Sequence, residues 1–558
     1  MNTIFKHKIL AGLMLFGALT LATSCQDTEG LEVTSETPFA DKTLLEVINA
    51  DPELSDFVEV LNSCGAECAD SLFNSSRVYT LWAPTNGSFK KDSIMDRIAA
   101  GYRDHVFKTF VMSHIANHLN AANGTLDSDN KILLLNGKVV VFEGDRVGGY
   151  KFDGCTVVER NIRVWNGLIH KLESPSNYKY SIWEYLKLDS RIDSVANFLY
   201  SYDVTEFNAG LSILGPIKDG VQTYLDSVST TSNKLLSAHT GIGNLDKEDS
   251  LYTVYIPTNE VWKELMLAAK KHYNYNYSAK KPASMDSTYR DSLSNFYSRM
   301  NIIKYMTFSN NEQKYVKSPD SVMPVNRSGY PRKLFAKSQF LQNIIDTKQL
   351  SNGVVKIVDK SPYNMFELWH DTIALQGEND GMRLPDSQGG QEYTVSVNQN
   401  NINKSDSLLK DVKLSGGRYF ACESSNSSVI VTYKVPKVLS ANYKVAMVVV
   451  PKHITNSSID TTELLPTCFT IDISQNSQRL YQVKEIENDP TRVDTLYLTD
   501  TKGQPLTVSF PYCEYFEGTN SRDDFSVEFK ITSKRNPKKY DSSVRIDEII
   551  FVPVGDQE

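Results

Sequence analysis

The chain has 558 residues and about 62.8 kDa, enough at roughly 100–200 residues per domain for about three to five globular units. Hydrophobic residues at 41% and charged residues at 23% exclude a disordered chain. A net charge of −8 with no long basic run beyond the N-terminus argues against a nucleic-acid partner, and seven cysteines are too few for a disulfide-stapled miniprotein.

Lys6, His7 and Lys8 precede an apolar run from Ile9 to Ala22, which exits through Leu21-Ala22-Thr23-Ser24-Cys25. A charged start, a short apolar core and a small-residue exit read as a secretion signal too short to span a bilayer. The exit resembles a bacterial lipobox, which implies a signal over 1–24 and acyl chains such as palmitate on Cys25. No other stretch of 18 apolar residues follows, so the lipid would be the anchor to the outer membrane. Gln26-Asp27-Thr28-Glu29-Gly30 is short and acidic. It resembles the surface-export tag of Bacteroidota-type lipoproteins and opens a linker over 25–39.

Asp followed by Ser or Thr and then an apolar residue or Thr recurs along the chain. The hydroxyl residues are Ser71, Ser93, Ser194, Ser227, Ser250, Ser287, Ser292, Ser321, Thr372, Ser407, Thr461 and Thr495. Composition alone predicts about two or three such triplets. They resemble Bacteroidota O-glycosylation sites, although Asp-Ser is also a common turn or cap pair.

Two halves share blocks. Leu44–Asp51 aligns with Ile182–Asp189 at a constant offset, and Leu54, Phe57, Val58 and Leu61 follow at helical spacing. Tyr79-Thr80-Leu81-Trp82-Ala83-Pro84-Thr85-Asn86 aligns with Tyr252-Thr253-Val254-Tyr255-Ile256-Pro257-Thr258-Asn259. Each predicts a strand stopped by Pro, with Thr-Asn placed to cap the following helix. Asn166-Gly167-Leu168-Ile169-His170-Lys171-Leu172 aligns with Asn352-Gly353-Val354-Val355-Lys356-Ile357-Val358, a tight turn and a closing strand.

These blocks resemble the fasciclin domain, with its strand into Ala-Pro-Thr-Asn-x-x-Phe and its Asn-Gly-x-Ile-His-x-Leu ending. The first repeat, 40–178, carries both, with Phe110-Val111-Met112-Ser113-His114 where the family often has Leu-x-Tyr-His. The second, 179–361, is degenerate: Ile256 replaces Ala, Trp262 replaces Phe, Lys356 stands where His170 stands, and Lys270–Arg290 lies in an insertion. The resemblance implies adhesion or protein–protein interaction, no active site and no cofactor. It also makes His114 and His170 structural.

From 362 to 558 short alternating runs predict an all-β, jelly-roll-like sandwich: Val429–Val435, Tyr443–Val450, Phe469–Ile473, Asp494–Leu498 and Leu506–Phe510. The last strand, Val544–Val554, resembles the closing strand of galactose-binding-like carbohydrate modules. The fold class expected for the whole is therefore α+β, two fasciclin-like domains followed by a sandwich.

Motifs for a nucleophile elbow, a zinc protease, a phosphate loop and a Cys-x-x-Cys pair are all missing from the sequence. Asp127-Ser128-Asp129-Asn130 lacks the Gly and Glu of a calcium loop. His114 and His118, four apart, could share a helical face and grip zinc, but no third ligand stands near in sequence. Cys64 and Cys68 could form a local clip; Cys155, Cys422, Cys468 and Cys513 allow one tail disulfide or none. Tyr273, Tyr275 and Tyr277, or Tyr512, Tyr515 and Phe516, read either as an aromatic platform for a sugar or as packing at a seam. The expected partners are a cell-surface protein or a polysaccharide, and the expected place is the outer membrane, lipid-anchored and facing outward.

Overall fold

The computed structural model describes residues 39, 41–65, 69–70, 73, 77–210, 213–218, 221–226, 229–237, 241–276, 287–314, 316–325, 334–363, 371–384, 388–500, 502–514 and 526–555. Helices make up 22% and strands 35%, as an α+β chain requires. The chain divides into two compact units, one up to Ser181 and one from Ile182 onward.

In the first unit, Tyr79–Pro84 is buried at every position because it divides two cores. Tyr79, Leu81 and Ala83 face the helices Leu44–Ala50 and Ser55–Ser63, while Trp82 joins Phe142, Phe152 and Leu172 on the other side. That alternation is the period of a strand. The strand lies parallel to Gly167–Leu172, with Tyr79 opposite Gly167 and Trp82 opposite His170. A seven-stranded sheet runs from Ile115–Asn117 through these two to Cys155–Val164, Gly149–Phe152, Val139–Asp145 and Lys131–Leu133.

The second unit repeats the strand pair in the same register. Tyr252–Pro257 lies parallel to Gly353–Val358, with Tyr252 opposite Gly353 and Tyr255 opposite Lys356. Thr307–Ser309 and Ile344–Leu350 flank them, and the helices Asp193–Tyr200 and Asn259–Lys270 belong to the same half. The substitutions that made this half look degenerate compensate each other. In the first unit the rings of Trp82 and His170 stack at 5.5 Å. In the second, Lys356 donates to the Tyr255 hydroxyl at 3.2 Å and lies over its ring.

The motif asparagines reach backward rather than forward. Asn86 was expected to cap the next helix, yet that helix starts only at Lys91. Instead Asn86 Oδ1 accepts from Asp56 N at 2.9 Å and its Nδ2 donates to the Pro52 carbonyl at 2.7 Å, so it caps the preceding helix. Asn259 does the same with Ser194 N and the Ser190 carbonyl, both at 2.8 Å. Asn166 Oδ1 accepts from Leu44 N at 2.7 Å and its Nδ2 donates to the Phe73 carbonyl at 2.7 Å. Asn352 pairs likewise with Ile182 N and with the carbonyls of Leu245 and Lys247. The glycine after each lets the strands approach: a Cβ on Gly167 or Gly353 would run into the carbonyl of Tyr79 or Tyr252.

The remainder of the second unit is two β-sheets on one core. The first sheet carries Gln391–Ser396, Arg418–Glu423, Val544–Val554, Asn442–Val449 and Asp494–Tyr497, with Ile373–Gln376 and Thr507–Ser509 also paired to it. The second carries Ile430–Val435, Val527–Ser533, Cys468–Gln475 and Gln478–Glu487. Phe420, Tyr433, Met447, Ile471, Phe529 and Phe551 fill the space between them.

Asn166→Ala should cost about 2–4 kcal/mol, because it removes a cap and strands a buried carbonyl. Asn86→Ala, at an exposed position, should cost about 1–2 kcal/mol. Equilibrium urea unfolding of the full chain measures both; equal losses would show that the buried bonds carry no extra weight.

Candidate functional site

The structure separates the residues singled out from sequence. Cys25, Ser71, Ser227, Cys68, Tyr277, Tyr515 and Phe516 lie outside the described residues. Ser93, Ser287, Ser292, Thr372, Ser407, Thr461 and Thr495 are exposed, and Ser194, Ser250 and Ser321 are half-buried. Tyr512 forms no open platform. It is half-buried and packs with Leu439 against Tyr273, Tyr275 and Cys513, where the insertion meets the sandwich. Cys513 N donates to the Asn274 carbonyl at 2.9 Å and Asn274 Nδ2 to the Pro511 carbonyl at 2.9 Å. Tyr273 and Tyr275 are buried there too, so the seam reading replaces the sugar platform.

Of the two cysteine readings left open, one tail disulfide or none, the described cysteines follow the second. Cys155, Cys422 and Cys468 are unpaired, and Cys513 donates from Sγ to the His272 carbonyl at 2.7 Å. Burial pushes the Cys513 thiol up to about 12, which keeps it inert. His114 and His118 share no helical face, since His118 is exposed with φ of 66° beyond the strand Ile115–Asn117. His114 donates from Nδ1 to the Phe110 carbonyl at 2.7 Å and accepts from Ser176 N at 3.0 Å. Burial pushes its pKa down to about 4, so it stays neutral and both nitrogens are occupied.

Two features of the sandwich do carry unspent chemistry. The first is a group of oxygens where the strand Ile373–Gln376 pairs with Val544–Val554. Asp547 is 5% exposed and its Oδ1 has no partner. Glu378 Oε2 and Gln376 Oε1 are also buried without a partner. Gln376 Oε1 and Glu378 Oε1 both lie within 3.4 Å of where a Cβ on Gly416 would stand, so they converge. Gln376 Nε2 donates to Glu548 and Ser415, which fixes its oxygen toward the cluster. Burial, with Glu548 and Glu378 adding like charge against the Ser415 N–H, pushes Asp547 up to about 7. Among the described residues no three or more His, Cys, Asp or Glu could hold a metal by themselves. Here the acceptors are two carboxylates and an amide, oxygen donors of the kind a hard cation such as Ca²⁺ takes. The signal in sequence was Asp547-Glu548, two acids beside Arg545 in a final strand that is apolar from Ile549 onward.

The second feature is a recess of about 290 Å³ at one end of the sandwich, where Pro451, Leu464, Leu465, Tyr540 and Arg545 meet. Arg545, 5% exposed, makes a two-pronged pair with Glu423 at 2.7 and 2.6 Å and reaches Asp541 at 2.8 Å. Burial opposes ionisation of Asp541, but Arg545 and the Ser543 N–H hold its carboxyl below the usual range. Ser542, also in the wall, has a buried hydroxyl without a partner. Sequence reading missed this wall because its residues come from five separate loops.

Residues 52–175 match the family model of the fasciclin domain, so that stretch of the first unit is a fasciclin domain. A FAS1 domain pair from the insect cell adhesion molecule fasciclin I aligns at 13% identity over 57% of this chain and 98% of that one, with a TM-score of 0.21. A family 35 carbohydrate-binding module from Clostridium thermocellum aligns at 9% identity over 32% of this chain and 97% of that one, with a TM-score of 0.19. A family 11 carbohydrate-binding module from the same organism, bound to a mixed-linked tetrasaccharide, aligns at 12% identity over 32% and 95%, with a TM-score of 0.19. Alignments this loose carry no argument about ligand. No curated protein matches the chain.

The raised carboxyl of Asp547 sets a pH dependence. A carboxyl whose folded pKa exceeds its unfolded value loses stability as pH rises from about 4 toward 7. Without divalent cations the thermal midpoint of the full chain should fall between pH 5 and 8, Ca²⁺ should restore it, and Asp547→Asn should abolish both effects. A Ca²⁺ response that Asp547→Asn leaves intact would place the cation elsewhere.

Proposed function

We propose that the protein is a non-enzymatic lipoprotein of the outer membrane, tethered through Cys25 and displayed to the exterior for adhesion or protein–protein interaction. The observation that carries this reading is the fasciclin domain at 52–175, whose motif side chains are engaged inside the fold. Asn86 and Asn166 cap helices, His114 uses both ring nitrogens, and His170 donates to the Asn120 carbonyl at 3.0 Å. Side chains so employed build a scaffold, and its surface is what remains for a partner. Among the described residues no helix is long and apolar enough to cross a membrane, in keeping with a lipid tether.

On this reading the second half is a further, divergent fasciclin domain, since it repeats the strand register and the asparagine caps. The exposed hydroxyls of the Asp-Ser and Asp-Thr triplets are glycan acceptors. The jelly-roll-like sandwich faces the target. A second reading, capture of a glycan for a polysaccharide-uptake system, is favoured by the polar-walled recess at the sandwich end, a concave site of the kind small ligands use.

Cell fractionation tests the tether. The native chain should sediment with membranes and be cut by protease added to whole cells, whereas Cys25→Ala should appear in the soluble fraction. Retention of Cys25→Ala in the membrane would remove the lipid anchor from the reading.

A further inference from the structure

We propose that the recess at the end of the C-terminal sandwich binds a single uncharged sugar ring, at the end or at a branch of a glycan. This inference rests on the glycan-capture reading and names its site and ligand.

Charge decides the first part. The buried Arg545 guanidinium is already neutralised by Glu423 and Asp541, and Lys452 and Glu463 bring opposite signs to the rim. Neither an anion nor a cation finds an excess of counter-charge there. A neutral ligand enters without leaving a buried charge unpaired.

Hydrogen bonding decides the second. A guanidinium has five N–H groups, and the three bonds to Glu423 and Asp541 leave two without an acceptor among the described residues. Ser425, in the same wall, is exposed and presents its hydroxyl to solvent. A wall with spare N–H donors and a hydroxyl that can donate or accept suits a ligand dense in oxygens. Leu464, Leu465 and Pro490 supply apolar surface in the same wall. A pyranose offers both, a rim of hydroxyls and faces of C–H groups.

Size decides the third. About 290 Å³ is at the floor of the roughly 300–1,000 Å³ range of small-ligand sites. One ring fits and a run of rings does not. A sugar inside a linear chain would have to enter and leave through the same opening, so the site takes an end or a branch.

The test titrates the full chain with methyl glycosides of neutral sugars (glucose, galactose, mannose, xylose and N-acetylglucosamine), read by saturation-transfer NMR and calorimetry. At least one should bind. Leu465→Trp, which fills the mouth from an exposed position, and Ser425→Val should each weaken it at least tenfold with the thermal midpoint unchanged. Methyl glucuronide should bind at least tenfold more weakly than the best neutral glycoside. The proposal falls if no methyl glycoside binds the folded chain, if Leu465→Trp binds as well as the native chain, or if the glucuronide binds equally. A parallel polysaccharide array separates the two ideas. Array binding that Leu465→Trp leaves untouched would keep glycan capture and remove this recess, whereas a blank array would remove both.

Discussion

Everything in the two repeats depends on a pair of parallel strands buried on both faces, and on the asparagines that tie helices to them. A helix start leaves N–H groups without partners, and a buried one must find an acceptor. Asn166 and Asn352 supply it from the turn that opens the closing strand, across 122 and 170 residues of chain. Each spends its amide nitrogen on carbonyls of a neighbouring loop, so a single side chain fixes a helix, a loop and a strand. The glycine that follows admits the partner strand's carbonyl where any Cβ would collide. The Asn-Gly pair is therefore two constraints in adjacent residues, one of hydrogen bonding and one of space.

This explains which parts of the fold were legible in sequence. The paired blocks at Tyr79 and Tyr252, and at Asn166 and Asn352, stood out because short-range chemistry repeats. Their long-range use did not show: Thr-Asn beside a helical pattern reads as a forward cap, while Asn86 and Asn259 actually cap helices some 31 and 65 residues earlier. In the sandwich, strands with one buried face, such as Cys468–Gln475, announced themselves by alternation. Gln478–Glu487 has no fully buried residue and gave no such signal. Tyr512 misled for a related reason, since an aromatic cluster looks the same in a chain whether it meets solvent or the Tyr273 and Tyr275 side chains. The sites stayed hidden because Gln376, Glu378 and Asp547 meet only after the first and last strands of the sandwich pair.

Buried cations are compensated in both units, and one buried acid is not. Lys171, 8% exposed in its side chain, meets Asp51, Glu53 and Glu159 within 2.9 Å. That arrangement compensates a charge taken out of water and pins the closing strand to the first helical turns. Arg545 is compensated in the same way by Glu423 and Asp541. Asp547 is not: its neighbours Glu378 and Glu548 add charge of its own sign, and the Arg418 guanidinium stands 3.8 Å from Glu378. Protonation or a cation must supply what the side chains do not.

The unpartnered polar atoms divide along the same line. In the first unit they include Trp82 Nε1 and His170 Nδ1, on rings that stack within the core. The bond from His170 Nε2 to the Asn120 carbonyl fixes the proton on that nitrogen, and burial holds the imidazole neutral. Nδ1 is then left as an acceptor inside the ring stack. In the sandwich they include the acid and amide oxygens of Gln376, Glu378 and Asp547 and the Ser542 hydroxyl, together with Arg383 Nη1, Thr432 Oγ1, His453 Nδ1 and Gln475 Oε1. Glu378 and Glu548 set like charge against Asp547, and that group stays incomplete until a proton or a cation joins it. The motif asparagines and His114 are spent on the scaffold, and the capacity for a ligand lies in the sandwich.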